Sequence, residues 1–303
     1  MNIFILTNCQ ATKRLPSRNL LLALAICDCL FLLFATIEVT PLNLSNFITS
    51  TSMLNLLYIH SALYIRTIAS TFYKFSILIV ISFNIERYIC ICYPLYSYKF
   101  YAKYTNRLFL ILSFIISLLF SLQWPICYKI EKCWDYLLQH EIYYIIISRS
   151  KYLQFYYNIM DSLTLLIFNL LSIIIVCILN IRIVITLKKI NRRSNQNNSF
   201  SIFFYHQKRK DIAGKQTNNA NANAMLFAVI ILLVICVGPQ APARLLYKYY
   251  GQYNSIAIIY TCITQQLVFL NASLNFCLYC LLSRKYRSII LQFARKLYQK
   301  TFK

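Results

Sequence analysis

Phe75-Ser-Ile-Leu-Ile-Val-Ile-Ser-Phe-Asn-Ile85 runs directly into Glu86-Arg87-Tyr88, and the chain continues Ile89-Cys90-Ile91-Cys92-Tyr93-Pro94-Leu95. An apolar run of this kind that ends on a Glu-Arg pair is costly to place by accident. Arg at the centre of a bilayer costs roughly 2.5–3.5 kcal/mol on insertion scales, so such a pair sits at the interface or faces the interior of a helix bundle. The stretch reads as a membrane helix that carries a charged latch at its end.

The rest of the composition agrees with a membrane chain. Of 303 residues, 59% are hydrophobic and only 13% charged, and the mean hydropathy is +0.56. Those values lie outside the usual range of globular domains. Three glycines leave little room for phosphate-cradling loops. The formal net charge of +23 raises nucleic acid as a partner, but its distribution excludes it. Basic residues cluster at Lys13/Arg14/Arg18, Lys99/Lys103/Arg107, Lys188/Lys189/Arg192/Arg193, Lys208/Arg209/Lys210/Lys215 and from Arg284 to Lys303. Apolar stretches separate the clusters. The alternate loops carry few basic residues and most of the loop acids (Glu131, Asp135, Glu141). This is the positive-inside pattern, and it places the Arg87 end in the cytoplasm. Topology and anionic lipid account for the basic loops, so no nucleic acid is expected.

Stretches of about 20 apolar residues can cross a bilayer. Here they are 19–42, 54–90, 107–127, 153–187, 224–248 and 255–282, six in all. Ahead of them only Asn2 to Leu6 is apolar, which reads as the stub of a first helix, with no signal peptide. Loops 8–18, 93–106 and 188–223 read as inside, and 43–53, 128–152 and 249–254 as outside. Residues 191–223 read as a flexible loop. Two units follow: a transmembrane bundle over 1–283, and a cytoplasmic amphipathic helix and tail over 284–303. In the latter, Tyr286, Ile289, Ile290, Phe293 and Leu297 share one face, as expected of a helix lying on the inner leaflet. The fold class is all-α, a multi-pass bundle.

Several polar groups fall inside these spans. Asp28 lies in Leu24-Ala25-Ile26-Cys27-Asp28, and an acid in mid-span marks a functional site by default. Surrounded by helices, it can hold a sodium ion or a proton. Asn271, Asn275 and Tyr279 recur at intervals of four, hence on one helix face. Pro239, after Gly238, removes a backbone donor and kinks the sixth span. Glu38, Arg66, Tyr73, Asp161, Arg244 and Gln265 lie in the outer half and are the candidate ligand contacts. Lys74 lies deeper and requires a partner that the sequence does not name. His60, His140 and His206 are scattered and make no metal site, so neither a catalytic residue nor a cofactor is expected.

In order and spacing, these features resemble the rhodopsin-like (class A) G-protein-coupled receptors. Leu24-Ala25-x-x-Asp28 is similar to that family's second-helix motif, and Glu86-Arg87-Tyr88 to its third-helix Asp/Glu-Arg-Tyr motif. Cys236-x-x-Pro239 is similar to the sixth-helix Cys-Trp-x-Pro motif, and Asn275-x-x-x-Tyr279 to Asn-Pro-x-x-Tyr. Asn271-Ala-Ser-Leu-Asn275-Phe-Cys-Leu-Tyr279-Cys280 and Pro242-Ala-Arg-Leu-Leu-Tyr247 resemble invertebrate neuropeptide receptors of the FMRFamide-receptor type. The chain also departs from the pattern. Val237 stands where the toggle Trp falls, and Phe276 replaces the seventh-helix Pro. The fifth helix lacks its Pro, with Ser172 or a neighbour in its place. The family's disulfide position on the third helix falls at Ala62, so Cys133 is left to pair with Cys127 or Cys262 or to stay free.

The resemblance implies a receptor with no chemistry of its own. An extracellular ligand, expected to be a peptide, shifts an equilibrium between inactive and active states. Asp28, Glu86, Arg87, Tyr88, Pro239, Asn271, Asn275 and Tyr279 form the expected activation switch, with Glu86 paired to Arg87 at rest. A heterotrimeric G protein inserts a helix on the cytoplasmic side. An amine ligand is disfavoured, because the acid used by amine receptors falls near Ala69. The alternatives are a transporter or channel, opposed by the lack of internal repeats, or a truncated receptor that does not signal. The expected location is the plasma membrane.

Overall fold

The computed structural model describes residues 18–44, 53–93, 103–135, 140–198, 231–250 and 254–282, and side chains over most of these. The elements are α1 (Arg18–Leu44), α2 (Met53–Cys92), α3 (Lys103–Ser121), α4 (Gln123–Cys127), β1 (Tyr128–Asp135), β2 (His140–Ile147), α5 (Lys151–Thr164), α6 (Ser172–Asn198), α7 (231–237), α8 (Gln240–Tyr250) and α9 (Ser255–Leu282). A π-helical segment, Leu165–Leu171, joins α5 to α6 without interruption. Among the described residues six helical stretches are long and apolar enough to cross a membrane, at Leu20–Val39, Leu57–Cys92, Arg107–Cys127, Lys151–Ile190, Ile231–Tyr250 and Ser255–Leu274. The expected multi-pass all-α bundle is therefore what the chain forms. Residues 1–17 and 283–303, which hold the expected stub and amphipathic helix, lie outside the described residues.

α2 is the hub. Its membrane stretch is 56% buried, against 22% for that of α3. It packs against α1, α3 and α6. α1 turns one face inward, with Leu20, Leu24, Cys27, Asp28, Phe31 and Ala35 buried at helical spacing. α3 does the same with Ser113, Ser117 and Ser121, one turn apart and buried. Lipid tails are as apolar as Leu, so small residues that let backbones approach drive such packing, rather than apolar burial. Ser117 and Ser121 satisfy their hydroxyls internally, each donating to the carbonyl four residues back at 2.8 Å.

Two expected loops carry regular structure. The outer stretch 128–152 contains an antiparallel hairpin, with Tyr128 opposite Ile147 and Asp135 opposite His140. Ile142 to Ile147 is rich in β-branched and aromatic residues, which favour strands. On the other side, α6 continues to Asn198, well into the stretch read as flexible. Lys188, Lys189, Arg192 and Arg193 are good helix formers, which favours continuation of the helix through them.

The irregular points have local causes. α3 ends at Ser121, two residues before Gln123, and Pro125 cannot donate to the carbonyl of Ser121. In the fifth span, Ser172 Oγ donates to Ile167 O, five residues back, at 2.8 Å. That contact lies at the end of the π-helical turn. The sixth span breaks at Gly238–Pro239, as expected. A Cβ on Gly238 would lie 2.4 Å from Val234 O, so the break requires glycine. α9, with Phe276 in place of Pro, runs unbroken to Leu282.

Candidate functional site

Polar side chains gather at two levels of the bundle, one toward the hairpin and one toward Arg87. Toward the hairpin, Arg66 on α2 forms an ion pair with Glu38 on α1 through Nε and Oε1. Tyr58 Oη donates to the Glu38 backbone carbonyl, fixing the same turn. The Arg66 guanidinium also lies 4.9 Å over the Trp124 ring, a cation–π contact. Trp124 packs against Tyr128, and Tyr128 Oη donates to Tyr157 Oη at 3.0 Å. Burial, and then that hydrogen bond, push the Tyr128 phenol well above its ordinary value. Arg244 on α8 donates to Asp161 on α5 at 3.2 Å. Four of the six candidate ligand contacts are thus two ion pairs, each bridging two helices.

Tyr73 reaches further in. Its hydroxyl donates to Gln240 Oε1 at 2.8 Å, and Asn169 Nδ2 donates to the same oxygen at 3.4 Å. Gln265 lies exposed on α9. Lys74 finds the partners its sequence position left open. Its Nζ donates to Ser70 Oγ at 2.9 Å, and to Phe120 O and Ser121 Oγ at 3.0 Å each. The three ammonium protons are matched by three acceptors beside the irregular end of α3.

Toward the other end, Asp28 Oδ1 accepts a hydrogen bond from Ser76 Oγ at 2.8 Å. Asn271 is buried on α9. Asn275 and Tyr279 continue that helix, but their side chains lie outside the described residues. Glu86 is 3% exposed, and among the described residues its Oε2 has no hydrogen-bond partner. The guanidinium of Arg87 lies 5.2 Å over the Phe83 ring. Glu86 and Arg87 are adjacent on α2, where successive side chains point about 100° apart around the helix. Tyr88 packs edge-on against Tyr93. Cys127 and Cys262 are free thiols, which removes both as partners of Cys133, whose own side chain lies outside the described residues.

A family model described as 7 transmembrane receptor (rhodopsin family) aligns with residues 1–279. This chain belongs to the rhodopsin family of seven-transmembrane receptors. The family is one of receptors, not enzymes. The chain is also similar to a Caenorhabditis elegans protein described as a probable G-protein coupled receptor, with 26% identity over 285 residues. That alignment takes in 93% of this chain and 63% of the relative, so the chain spans under two thirds of the relative's length. A multi-pass membrane location follows from the family and the six spans.

Sequence reasoning missed Ser76, Gln240, Asn169 and the pair Asn84–Asn180. Each is a neutral polar residue in a span and carries no charge that would flag it. Ser76 lies ten residues before Glu86 on the same helix, and Gln240 directly follows Pro239.

Proposed function

We propose that this chain is a G-protein-coupled receptor for an extracellular peptide. The observation that carries the reading is the pair of inter-helical ion pairs, Glu38–Arg66 and Asp161–Arg244, at the hairpin end of a rhodopsin-family bundle. Both are partly solvent-accessible, so a charged ligand can exchange with either partner. A two-stranded hairpin adds unpaired strand edges beside them, which suit an extended peptide. The local likeness of Asn271–Cys280 and Pro242–Tyr247 to FMRFamide-type receptors supports a neuropeptide. Glu38, Arg66, Tyr73, Asp161, Arg244 and Gln265 would contact it.

On the cytoplasmic side, Glu86, Arg87 and Tyr88 would meet the G protein, with Asn271, Asn275 and Tyr279 rearranging behind them. Helix motion would pivot on Pro239. Asp28 and Ser76 present hard oxygen donors, which fit a sodium ion in the resting state. Such an ion would weight the resting arrangement, and the residues named here would do the rest. The expected site of action is the plasma membrane.

The test is expression in cells with a panel of G proteins, challenged with neuropeptide pools. Peptide-dependent nucleotide exchange, abolished by Arg87→Ala at equal surface expression, is the expected result. Solute flux without any G-protein response would overturn the reading in favour of a transporter.

A further inference from the structure

We infer that Gln240 is a positioning residue for the Gly238–Pro239 break, holding the two parts of the sixth span in register through its side-chain carbonyl. The backbone at the break is weakly tied. Pro239 has no N–H to give to Ile235 O. The bonds that span the region are Gly238 N to Val234 O at 3.1 Å, Ala241 N to Gly238 O at 3.4 Å and Ala243 N to Pro239 O at 3.2 Å. Among the described residues only the Gly238–Ala241 bond, of three-residue reach, closes over Pro239 itself. Side-chain contacts must therefore set the angle between α7 and α8.

Gln240 is 6% exposed, and Oε1 accepts from Tyr73 Oη on α2 and from Asn169 Nδ2 in the π-helical turn. One oxygen joins three spans at the first residue beyond the proline. Val237, on the other side of the break, is buried but apolar, and offers no equivalent hold. Tyr73 extends the connection. Its ring centroid lies 5.6 Å from that of Phe31 on α1, and Phe31 lies 5.7 Å from Phe269 on α9. A displacement of Tyr73 is thus felt by five spans at once, and Gln240 is where it reaches the break.

This inference deepens the receptor reading by naming the residue that couples the peptide end to the break. Its test needs neither ligand nor G protein. Spin labels are carried on non-canonical residues at Arg182 and Ile231, both exposed, in the full chain in lipid nanodiscs. Distances between them are then measured by pulsed electron resonance. Tyr73→Phe removes one oxygen, and Gln240→Met keeps the side-chain length without the carbonyl. Each is expected to raise the population of a second distance about three-fold, the factor carried by one membrane hydrogen bond of average strength. The double variant is expected to exceed Gln240→Met by little, because both changes remove the same bond. Gln240→Glu, which keeps the acceptor oxygen, is expected to retain the original distribution. A fall in melting temperature with an unchanged distance distribution would overturn the inference, and so would additive shifts in the double variant. If Gln240→Met does not fold, Tyr73→Phe decides the matter alone. A shifted distribution with no nucleotide exchange in any variant would sink the receptor reading and leave Gln240 in place.

Discussion

Asn180 on α6 donates its side-chain amide to Asn84 Oδ1 on α2 at 3.1 Å, one helical turn before Arg87. Both amides also donate to carbonyls four residues back on their own helices, Val176 O and Val80 O. The pair therefore locks the rotation of α2 against α6 where Arg87 emerges. Membrane hydrogen bonds of this type average about 0.6 kcal/mol and reach about 1.7 kcal/mol. Asn180→Leu and Asn84→Leu should each lower stability within that range. The double replacement should cost less than the two added together, since it leaves no orphaned oxygen. Thermal unfolding in detergent measures all three, and full additivity would remove the bond as the cause.

Lys74 makes a prediction whose sign is informative. The ammonium is buried, and it donates to three neutral oxygens: Ser70 Oγ, Ser121 Oγ and Phe120 O. Replacing the charge with an apolar chain of similar length removes a large desolvation cost. Lys74→Met should therefore be neutral or stabilising. Ser121→Ala keeps the charge and removes one acceptor, and should destabilise by about 1–3 kcal/mol. If Lys74→Met is instead the more damaging change, the ammonium is held by stronger interactions than these three bonds.

Gly238 is constrained by backbone rather than by a movable side chain. Alanine there would place Cβ 2.4 Å from Val234 O, so the helix itself must shift. Overpacking of this kind costs about 1–3 kcal/mol. Gly238→Ala should lower the melting temperature accordingly. Pro239→Ala restores an N–H and should raise it, by allowing one continuous helix. The two changes, one residue apart, should move stability in opposite directions.

The Tyr128 phenol gives a pH dependence. Burial and its bond to Tyr157 disfavour the ionised form in the folded state. An unfolded tyrosine ionises near pH 10. Below that pH both states hold the proton and the contribution is complete. Above it the unfolded state loses its proton first, so stability falls as pH rises. Melting temperature should decline more steeply between about pH 9 and 11 in the parent chain than in Tyr128→Phe. Equal slopes would show that Tyr128 titrates as an ordinary exposed phenol.

The spans were legible because a bilayer imposes length and apolarity on any sequence that crosses it. The break at Gly238–Pro239 was legible because proline acts through its own missing donor, whatever surrounds it. The loops were less so. Nothing in Lys188 to Asn198 opposes a helix, and only the chain's continuation decides whether the ladder extends. Partners were the least legible. Glu38 and Arg66 stand 28 residues apart, and Asp161 and Arg244 stand 83 apart. No local pattern reports such distances, so the residues could be flagged but not joined. The neutral residues Ser76, Asn169 and Gln240 carry no charge to flag them. Their roles come from which helix each faces.

The Asp161–Arg244 pair allows structure and recognition to be separated. Both side chains are partly exposed, at 26% and 34%, so the pair itself is worth about 0.2–1 kcal/mol. Arg244→Asp places two carboxylates together, and Asp161→Arg two guanidiniums. Each single reversal should lower the melting temperature modestly. The double reversal restores an ion pair between α5 and α8 and should recover stability. Ligand recognition follows a different rule. A peptide group anchored on Arg244 meets an acid after the exchange, while its neighbours Arg66 and Glu38 keep their original signs. Peptide potency should therefore fall by ten-fold or more in the double reversal, about the 1.4 kcal/mol that one lost charged contact carries. Potency measured at equal surface expression, beside melting temperature, distinguishes the outcomes. Recovery of both would mean that Asp161 and Arg244 only hold two helices together.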